Sequence, residues 1–292
     1  MVVLVTGGSG QLGQSLQFVA DKYPQIQFHF LSSSELNIAD KENCIARFSE
    51  LKPDYCINAA AYTAVDKAES ETEKAHLINV QGAKNLAETC QEFDATLIHI
   101  STDFVFDGNK NTPYTEEDLT NPTSVYGQTK LDGEKEIQAI WEKHFIIRTS
   151  WLYSQFANNF MKTMIRLGKE KDALSVVSDQ IGTPTNAVDL AEAVVKIIEK
   201  TENTKGQTYD LESLYGIYHF SNEGQCSWYD FAKEIFEING IEIDLKPIPT
   251  SSYPTPAKRP GYSVLDKSKI KSNFQLEIKD WKESLNFLFY IK

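Results

Sequence analysis

The side chains best suited to chemistry are a tyrosine and a lysine four positions apart, Tyr126 and Lys130. On a helix this spacing places both on one face, about one turn from each other. An ammonium group near a phenol stabilises the phenolate and lowers the pKa of the phenol, so we expect Tyr126 to exchange a proton near neutral pH. Thr102 follows a predicted strand at its carboxyl end, where its hydroxyl can hydrogen-bond the same carbonyl that Tyr126 protonates. The three side chains therefore predict acid–base chemistry on a carbonyl group.

A glycine-rich segment directly follows the first apolar run of the chain. Gly7, Gly10 and Gly13 fit G-x-x-G-x-x-G, and Gly8 with the last two also fits G-x-G-x-x-G. Such a turn lets the backbone approach a pyrophosphate closely, and the following helix offers its first N–H groups to the phosphates. Because the motif stands between a predicted strand and a predicted helix, we interpret it as a dinucleotide-binding loop and not as an ordinary glycine turn.

The second predicted strand ends in Leu31 and three serines, with no acidic residue before Glu35. A serine hydroxyl, such as that of Ser32, can hydrogen-bond either a ribose 2′-hydroxyl or a 2′-phosphate. It also adds no charge that would repel the phosphate. The pattern predicts NADPH or NADH as cofactor, with NADPH accepted. The alternative is that the serines simply cap a helix in front of Glu35.

These residues need a framework of strands and helices to position them. Apolar runs typical of buried strands cover residues 2–6, 26–31, 55–58, 96–101 and 145–148. Helical spacing covers residues 11–22, 41–51, 68–93 and 126–141 between them. Strands that alternate with helices predict an α/β fold with a doubly wound, Rossmann-type parallel sheet. Ligands of such sheets bind at the carboxyl ends of the strands, where Thr102 and the glycine loop are expected.

The alternation of strand and helix patterns becomes less regular after about residue 150. We predict an NAD(P)-binding lobe from residues 1–150, completed by about 187–220, and a smaller C-terminal substrate lobe from residues 151–186 and 221–292. Helices are expected at 187–200, 228–238 and 279–289, and a further strand at 217–220. Segments 182–185 and 248–260 are rich in Pro, Gly and Thr and are expected to be ordered loops beside a cleft.

Composition excludes several classes of function. A net charge of -12 opposes binding to nucleic-acid phosphates, and no basic run offsets it. No segment is apolar enough to span a membrane, and the N-terminus lacks the pattern of a signal peptide, so a cytoplasmic location is expected. The four cysteines show no CxxC spacing and the histidines no HExxH spacing, so we predict reduced thiols and no metal site.

Longer motifs lie over nearly the whole chain. They are AAAYTAVDKAE at 59–69, STDFVFDG at 101–108, RTSW at 148–151, QIGTPT at 180–185 and PAKRP at 256–260. With the glycine loop and the Tyr126–Lys130 pair, they resemble the extended short-chain dehydrogenase/reductases and, more narrowly, the dTDP-4-dehydrorhamnose reductase family. The resemblance implies reduction of the C4 keto group of a dTDP-linked 4-keto-6-deoxy sugar by NAD(P)H.

The resemblance also implies a role for each matching residue. Tyr126 would protonate the sugar oxygen, Lys130 would hold the nicotinamide ribose, and Thr102 would polarise the carbonyl. Asp103 and Trp151 would contact the sugar nucleotide. The implied cofactor-binding residues are Gly7, Gly10, Gln11, Leu12, Gly13, Ser32, Asn37, Ile38, Ala61, Tyr62, Thr63, Tyr126 and Lys130.

Three of the expected substrate contacts have simpler interpretations. Trp151 after a strand can be a packing residue, and Asp103 can cap a turn. Arg259 in its Pro-rich loop can be a solvated charge, although an arginine fork also matches the oxygens of a substrate pyrophosphate. We keep both interpretations for each residue.

Other functions remain open within the same superfamily. A sugar-nucleotide epimerase or dehydratase would share the cofactor loop, and a non-catalytic regulatory subunit, like that of methionine adenosyltransferase, would share the fold. Related dehydratases carry a Glu where this chain has Phe104, which cannot exchange a proton. Relatives often have Leu-Asp where this chain has Leu36-Asn37, so a contact on the adenine side can differ. If the chain assembles with another protein, we expect a homodimer.

Overall fold

The computed structural model describes residues 1–204 and 211–290 and is built on a six-stranded parallel sheet of order β2-β1-β3-β4-β5-β10. The strands are β1 (Val2–Thr6), β2 (Gln27–Leu31), β3 (Tyr55–Asn58), β4 (Thr96–Thr102), β5 (His144–Thr149), β6 (Leu152–Tyr153), β7 (Ala173–Val177), β8 (Ile181–Gly182), β9 (Thr185–Asn186), β10 (Gly216–His219), β11 (Cys226–Ser227) and β12 (Asp244–Ile248). The α-helices are α1 (Gln11–Ala20), α2 (Lys41–Leu51), α3 (Val65–Ala68), α4 (Thr72–His76), α5 (Gly82–Glu92), α6 (Val125–Ile140), α7 (Phe160–Glu170), α8 (Ala187–Thr204), α9 (Trp228–Ile238), α10 (Ser268–Phe274) and α11 (Trp281–Tyr290).

Side chains of the sheet alternate between two apolar layers. Val3 and Val5 pack with Leu16 of α1 and Val194 of α8 on one face. Leu4 packs against α2, α5 and α6 on the other face. Because successive residues of a strand point to opposite faces, a strand buried on both sides is apolar throughout, as these strands are. The predicted doubly wound α/β fold is confirmed.

The strand order creates a crevice at one end of the sheet, where the carboxyl ends of the strands lie. β2 lies on one side of β1, and the chain then crosses to β3 on the other side. The order reverses between β1 and β3, which is where ligands of such sheets bind, outside the carboxyl ends of the strands. The residues that follow β1, β3, β4 and β5 all reach this end.

A smaller apolar cluster lies in the C-terminal part of the chain. It joins α7, α9 and α11 through buried residues such as Met161, Phe231 and Trp281. β7 pairs with β12, β6 with β9 and β8 with β11, each as a two-stranded sheet. Between these elements α8 and β10 return to the large sheet, as expected for segment 187–220, of which residues 205–210 lie outside the described residues. The division into two lobes at the stated boundaries remains our proposal.

One predicted helix is wrong in detail. Residues 68–93 form α4, a π-helical turn at Leu77–Gln81 and α5, and they begin where α3 ends. The π turn places the Asn79 amide against the main chain of Tyr62 at 2.8 Å and the hydroxyl of Thr129 at 3.1 Å. These buried hydrogen bonds stabilise the local change of helical pitch. The periodicity of the side chains in the sequence does not reveal such a change.

Two of the predicted loops also contain short strands. Segment 182–185 holds the end of β8 and the start of β9, and Ile248 ends β12. These strands pair with distant partners such as Cys226 and Val177, so their hydrogen bonds depend on contacts that local composition does not record. Among the described residues, none of the helices combines the length and apolar character needed to traverse a lipid bilayer.

Candidate active site

The glycine loop after β1 has the backbone geometry that only glycine allows. Gly7 has a φ of 64°, in the left-handed region, and a Cβ there would lie 2.9 Å from the carbonyl carbon and oxygen of Ala59. A Cβ on Gly13 would lie 2.4 Å from the carbonyl oxygen of Gly7. Gly10 is the N-cap of α1 and supplies no side-chain cap. The first N–H groups of α1 can therefore serve an anion such as a pyrophosphate.

The side chains of the next two residues, Gln11 and Leu12, make different contacts within the protein. The Gln11 side chain donates to the Leu152 carbonyl at 3.0 Å and accepts from Asn159 at 2.8 Å, which ties the loop to the C-terminal part of the chain. The Leu12 side chain is buried in the core. Any contact of Leu12 with a cofactor must come from its main chain.

The end of β2 is not free of charge, contrary to our expectation. The chain turns back after Ser32, and the main-chain N–H and hydroxyl of Ser32 both donate to the Glu35 carboxylate, at 2.8 and 2.7 Å. The hydrogen bonds from Ser32 lower the pKa of Glu35, since they stabilise its charged form. Nearby, Arg47 donates to the Glu35 carbonyl at 3.0 Å. An acidic group is therefore held at the end of β2, the place at which we predict the ribose 2′ group of a bound cofactor.

Two residues expected on the adenine side differ in exposure. The Asn37 side chain is exposed and accepts from Ala39 N–H at 3.2 Å. Ile38 is buried in the core, where its side chain meets Gly82. Only the main chain of Ile38 can face a ligand.

Two elements, β4 and α6, bring Thr102, Tyr126 and Lys130 to the same end of the sheet. Thr102 ends β4, and Ser124 caps the start of α6 by accepting from Gly127 N–H at 3.2 Å. Tyr126 and Lys130 lie in the first turns of α6, and the phenol of Tyr126 lies near enough to the Thr102 hydroxyl for Thr102 to influence its pKa. The predicted helix that carries Tyr126 and Lys130 is present in the structure, and Thr102 lies at the same end of the sheet.

The pKa of Tyr126 departs from the expectation. The pKa is raised to about 12, mainly by burial and in part by the charge of Asp103, while the nearby Thr102 hydroxyl lowers it. The expected lowering by Lys130 is wrong for this structure, because loss of hydration dominates for a buried phenol and the Lys130 ammonium is engaged elsewhere. A raised pKa keeps the phenol protonated at neutral pH, which is the form that can donate a proton.

Lys130 is 1% exposed and lies between α6 and β4. Its Nζ donates to the Ile100 carbonyl at 2.7 Å and is 3.0 Å from His99 Nε2. Burial lowers the pKa of Lys130 to about 8, while the nearby Glu134 carboxylate raises it. Sequence reasoning assigned nothing to His99. The signal was present, because His99 and Ser101 are polar residues at alternate positions of a buried strand.

A buried ion pair supports the same helix. Arg148 of β5 contacts Glu134 of α6 with Nη2 to Oε2 at 2.7 Å and Nε to Oε1 at 3.0 Å, and the two side chains are 3% and 0% exposed. The Ser101 hydroxyl also hydrogen-bonds Glu134. Sequence reasoning missed this pair, although Glu134 follows Lys130 by one helical turn.

Asp103 is a buried carboxyl group with one oxygen atom that accepts no hydrogen bond from the described residues. Its Oδ1 accepts from the Thr102 hydroxyl at 3.1 Å, whereas its Oδ2 has no hydrogen-bond partner among the described residues. Burial raises the pKa of Asp103 to about 6, and hydrogen bonds from Ser263 and Thr102 work in the opposite direction. A buried polar atom without a partner is costly, so Asp103 is suited to a polar ligand.

The residues after β3 also border the crevice. Asn79 accepts from the Tyr62 N–H at 2.8 Å, and the Tyr62 hydroxyl donates to Glu71 at 3.0 Å. Ala61 is half-buried and Thr63 is exposed. The main chain of this segment is thus held in place, while Thr63 faces outward.

Trp151 and Arg259 have partners within the protein. Trp151 stacks on Trp228, with ring centroids 3.6 Å apart. Arg259 forms a two-pronged ion pair with Asp66, at 2.8 and 3.0 Å. The packing interpretation of Trp151 and an ion pair of Arg259 are therefore observed, and substrate contacts by either residue remain predictions.

Comparison with known proteins decides the family. The family model for the RmlD substrate binding domain matches residues 1–290. A dTDP-4-dehydrorhamnose reductase of Aggregatibacter actinomycetemcomitans is 42% identical over 97% of this chain and 96% of its own length. The chain belongs to the dTDP-4-dehydrorhamnose reductase family. The resemblance predicted from the sequence is confirmed.

Solved structures of the dTDP-4-dehydrorhamnose reductase family agree with the fold. The enzyme from Clostridium acetobutylicum superposes with a TM-score of 0.92 at 43% identity, covering 100% of this chain and 99% of its own. The enzyme from Bacillus anthracis, solved in complex with NADP, gives 0.91 at 39% identity over 100% and 99% of the two chains. Members of this family thus share the whole length of the chain described here.

Proposed function

We propose that this chain reduces the C4 keto group of dTDP-4-dehydrorhamnose to give dTDP-L-rhamnose, with NADPH or NADH as reductant. The observation that carries the proposal is the meeting of Thr102, Tyr126 and Lys130 at the carboxyl edge of the sheet, beside the glycine loop. The predicted class of enzyme, an NAD(P)H-dependent oxidoreductase, agrees with the reductase family to which the chain belongs.

The cofactor half of the site fits a dinucleotide. Gly7 and Gly13 allow the loop to pack tightly against Ala59 and against itself, and the start of α1 at Gln11 supplies N–H donors for a pyrophosphate. Lys130 would hold the nicotinamide ribose from α6. When bound, the nicotinamide supplies the hydride for C4. The protein's own residues supply orientation and a proton.

Tyr126 is the proton donor in this proposal. Its pKa lies about 12 in the structure, so the phenol is protonated at neutral pH and can donate to the sugar oxygen as negative charge develops there. Thr102 would donate a second hydrogen bond to the same oxygen, in place of the one that its hydroxyl donates to Asp103 Oδ1 in the structure. Fixed donors aimed at a developing oxyanion lower the barrier without reorganisation of solvent.

On the substrate side, we assign contacts to Asp103, Trp151 and Arg259. Asp103 offers the unpaired Oδ2, and Trp151 offers the face or edge of an indole already fixed by Trp228. Arg259 would exchange Asp66 for the substrate pyrophosphate, since its fork matches phosphate oxygens. Neither hydride transfer nor proton transfer requires a metal ion, so we assign none to the reaction. A homodimer and a cytoplasmic location remain predictions.

The decisive test separates reduction from elimination. We expect stoichiometric oxidation of NADPH or NADH, followed by its absorbance, when the purified protein meets dTDP-4-dehydrorhamnose. We expect no loss of water from dTDP-glucose, because Phe104 packs edge-on against Tyr126, with centroids 5.5 Å apart, and cannot act as a base. Formation of a 4-keto-6-deoxy product from dTDP-glucose without net cofactor oxidation would identify a dehydratase. Absence of turnover on both substrates would favour the non-catalytic subunit.

Cofactor choice provides a second prediction. We expect both NADPH and NADH to be used, and Glu35→Gln to raise the ratio of kcat/KM for NADPH over NADH by about 10-fold, since a carboxylate beside the 2′ position repels phosphate. Steady-state kinetics with each cofactor measure the ratio. Glu42→Gln, on the exposed first turn of α2, is the matched control and should leave it unchanged. A wild-type preference for NADH beyond about 1000-fold would contradict the first expectation.

A further inference from the structure

A chain of buried polar side chains runs behind Lys130, away from the crevice. The Thr6 hydroxyl contacts Asn58 Oδ1 at 2.7 Å, Asn58 Nδ2 is 3.0 Å from His99 Nδ1, and His99 Nε2 is 3.0 Å from Lys130 Nζ. Each of these four side chains is at most 1% exposed. No role was assigned to His99, yet it is the side chain that contacts the nitrogen of the proposed ribose-binding lysine.

The geometry restricts how protons can be distributed along this chain. A neutral imidazole has one nitrogen that donates and one that accepts. His99 is held neutral, because burial lowers its pKa well below the ordinary value and the charge of Lys130 lowers it further. A Lys130 ammonium only donates, so His99 Nε2 must then accept and His99 Nδ1–H must donate to the Asn58 amide oxygen.

The reverse pattern applies when Lys130 is a neutral amine. In the structure the Asn58 oxygen accepts from Thr6 and from Ala60 N–H at 3.2 Å, so the Asn58 nitrogen donates to His99 Nδ1. His99 then carries its proton on Nε2 and donates to an amine lone pair. Ala60 N–H is also 3.3 Å from the Thr6 hydroxyl, so the Asn58 amide can turn over without leaving that N–H unpaired.

We propose that His99 is a positioning residue for Lys130, which fixes Nζ between β4 and α6 and changes tautomer when Lys130 gains or loses its proton. The inference rests on the proposed function, in which Lys130 holds the cofactor ribose. His99 keeps a hydrogen bond to Lys130 in both charge states, so the lysine can titrate without moving.

Several other charged or titratable groups face this pair. Glu134 acts on Lys130 from the same helix, and His144 of β5 acts on His99. Tyr126 lies one turn before Lys130 on α6, and Asp103 acts on that tyrosine. None of these groups is altered in the test below, so a change in titration can be assigned to position 99.

Two substitutions of His99 separate the proposed role from simple packing. Glutamine places a terminal amide near the position of the imidazole Nε2 and can accept from or donate to Lys130, whereas asparagine reaches only the position of Nδ1.

The test is the dissociation constant of NADPH, measured by fluorescence from pH 6 to 9.5, a readout that does not need turnover. We expect affinity to fall as Lys130 deprotonates, with an apparent pKa near 8 in the wild type. His99→Gln should keep that value, and His99→Asn should lower it by about one unit or more, because the ammonium loses an acceptor. His219→Gln, at a buried histidine of β10 that contacts neither His99 nor Lys130, is the control.

A measurement on the unmodified protein covers the case in which the variants fail to fold. The ¹⁵N chemical shifts of the His99 ring should change from the Nδ1–H to the Nε2–H pattern over the pH range in which Lys130 titrates. Invariant shifts between pH 6.5 and 9.5, or equal apparent pKa values for His99→Gln and His99→Asn, would overturn the proposal. Failure of the proposed function would appear separately, as absence of keto-sugar turnover in the wild type.

Discussion

Replacing Tyr126 with phenylalanine should lower kcat and kcat/KM together by about 100-fold or more, typical of the loss of a positioned acid. The ring stays in place against Phe104, so the substitution removes the hydroxyl and little else. In the variant the sugar oxygen has one donor, Thr102, in place of two. Steady-state kinetics with the keto sugar measure the effect.

The cofactor affinity and the fold of the Tyr126→Phe variant should remain close to those of the wild type, which fluorescence titration and thermal unfolding check. Tyr23→Phe is the matched control, because Tyr23 lies beyond the end of α1, at the end of the sheet opposite the crevice. Near-normal turnover of Tyr126→Phe would rule out this tyrosine as the acid. A large loss in both variants would point to instability and not to chemistry.

Replacing Glu134 with alanine should destabilise the protein by about 3–5 kcal/mol, since it leaves the Arg148 guanidinium buried and unpaired. Arg148 is 3% exposed, and its Nη1 already has no hydrogen-bond partner among the described residues, so it has no second anion to turn to. A free-energy change of this size corresponds to a fall in melting temperature of roughly 10 °C. Differential scanning calorimetry measures it.

Glu136→Ala is the matched control on the same helix. Glu136 pairs with Lys84 at 3.4 Å, with the two side chains 38% and 39% exposed, and such surface pairs contribute at most about 1 kcal/mol. A melting temperature of Glu134→Ala within about 2 °C of the wild type would show that Arg148 finds water or another acceptor once the carboxylate is gone.

Local pattern was sufficient for the parts of the fold that are governed by local rules. The strands that hold Val3 and Ile57 are continuous apolar runs because they are covered on both faces, and their bounds were predicted to within a residue. The glycine loop was readable because a left-handed turn and a close approach at Gly7 admit no other residue. Tyr126 and Lys130 were readable because helical spacing alone puts them on one face.

Contacts between distant segments were not readable in this way. The partner of Arg259 is Asp66, and the partner of Trp151 is Trp228, far away along the chain in both cases. Their pairing depends on how the C-terminal part folds against the sheet. The charge at the end of β2 was missed for a different reason, because the turn that brings Glu35 back to Ser32 reverses the direction of the chain within three residues.

The pKa of Tyr126 shows a further limit of reasoning from spacing. Spacing correctly placed an ammonium group one turn away, but it did not show that the phenol would be buried or that Ile100 and His99 would engage the ammonium. Desolvation is a property of the assembled site, and here it outweighs the nearby charge.

The return of the chain to the large sheet through α8 and β10 has a consequence for biosynthesis. On the ribosome, β1 to β5 emerge first, but the helix that covers Val5 and the strand that pairs with β5 follow only after α7 and β7 to β9. Until then an apolar face and an unpaired strand edge are open to solvent, and such surfaces favour aggregation of nascent chains. The amino-terminal half therefore cannot complete its folding as it is synthesised. The large sheet becomes complete only after residue 219, the end of β10, has left the ribosomal exit tunnel.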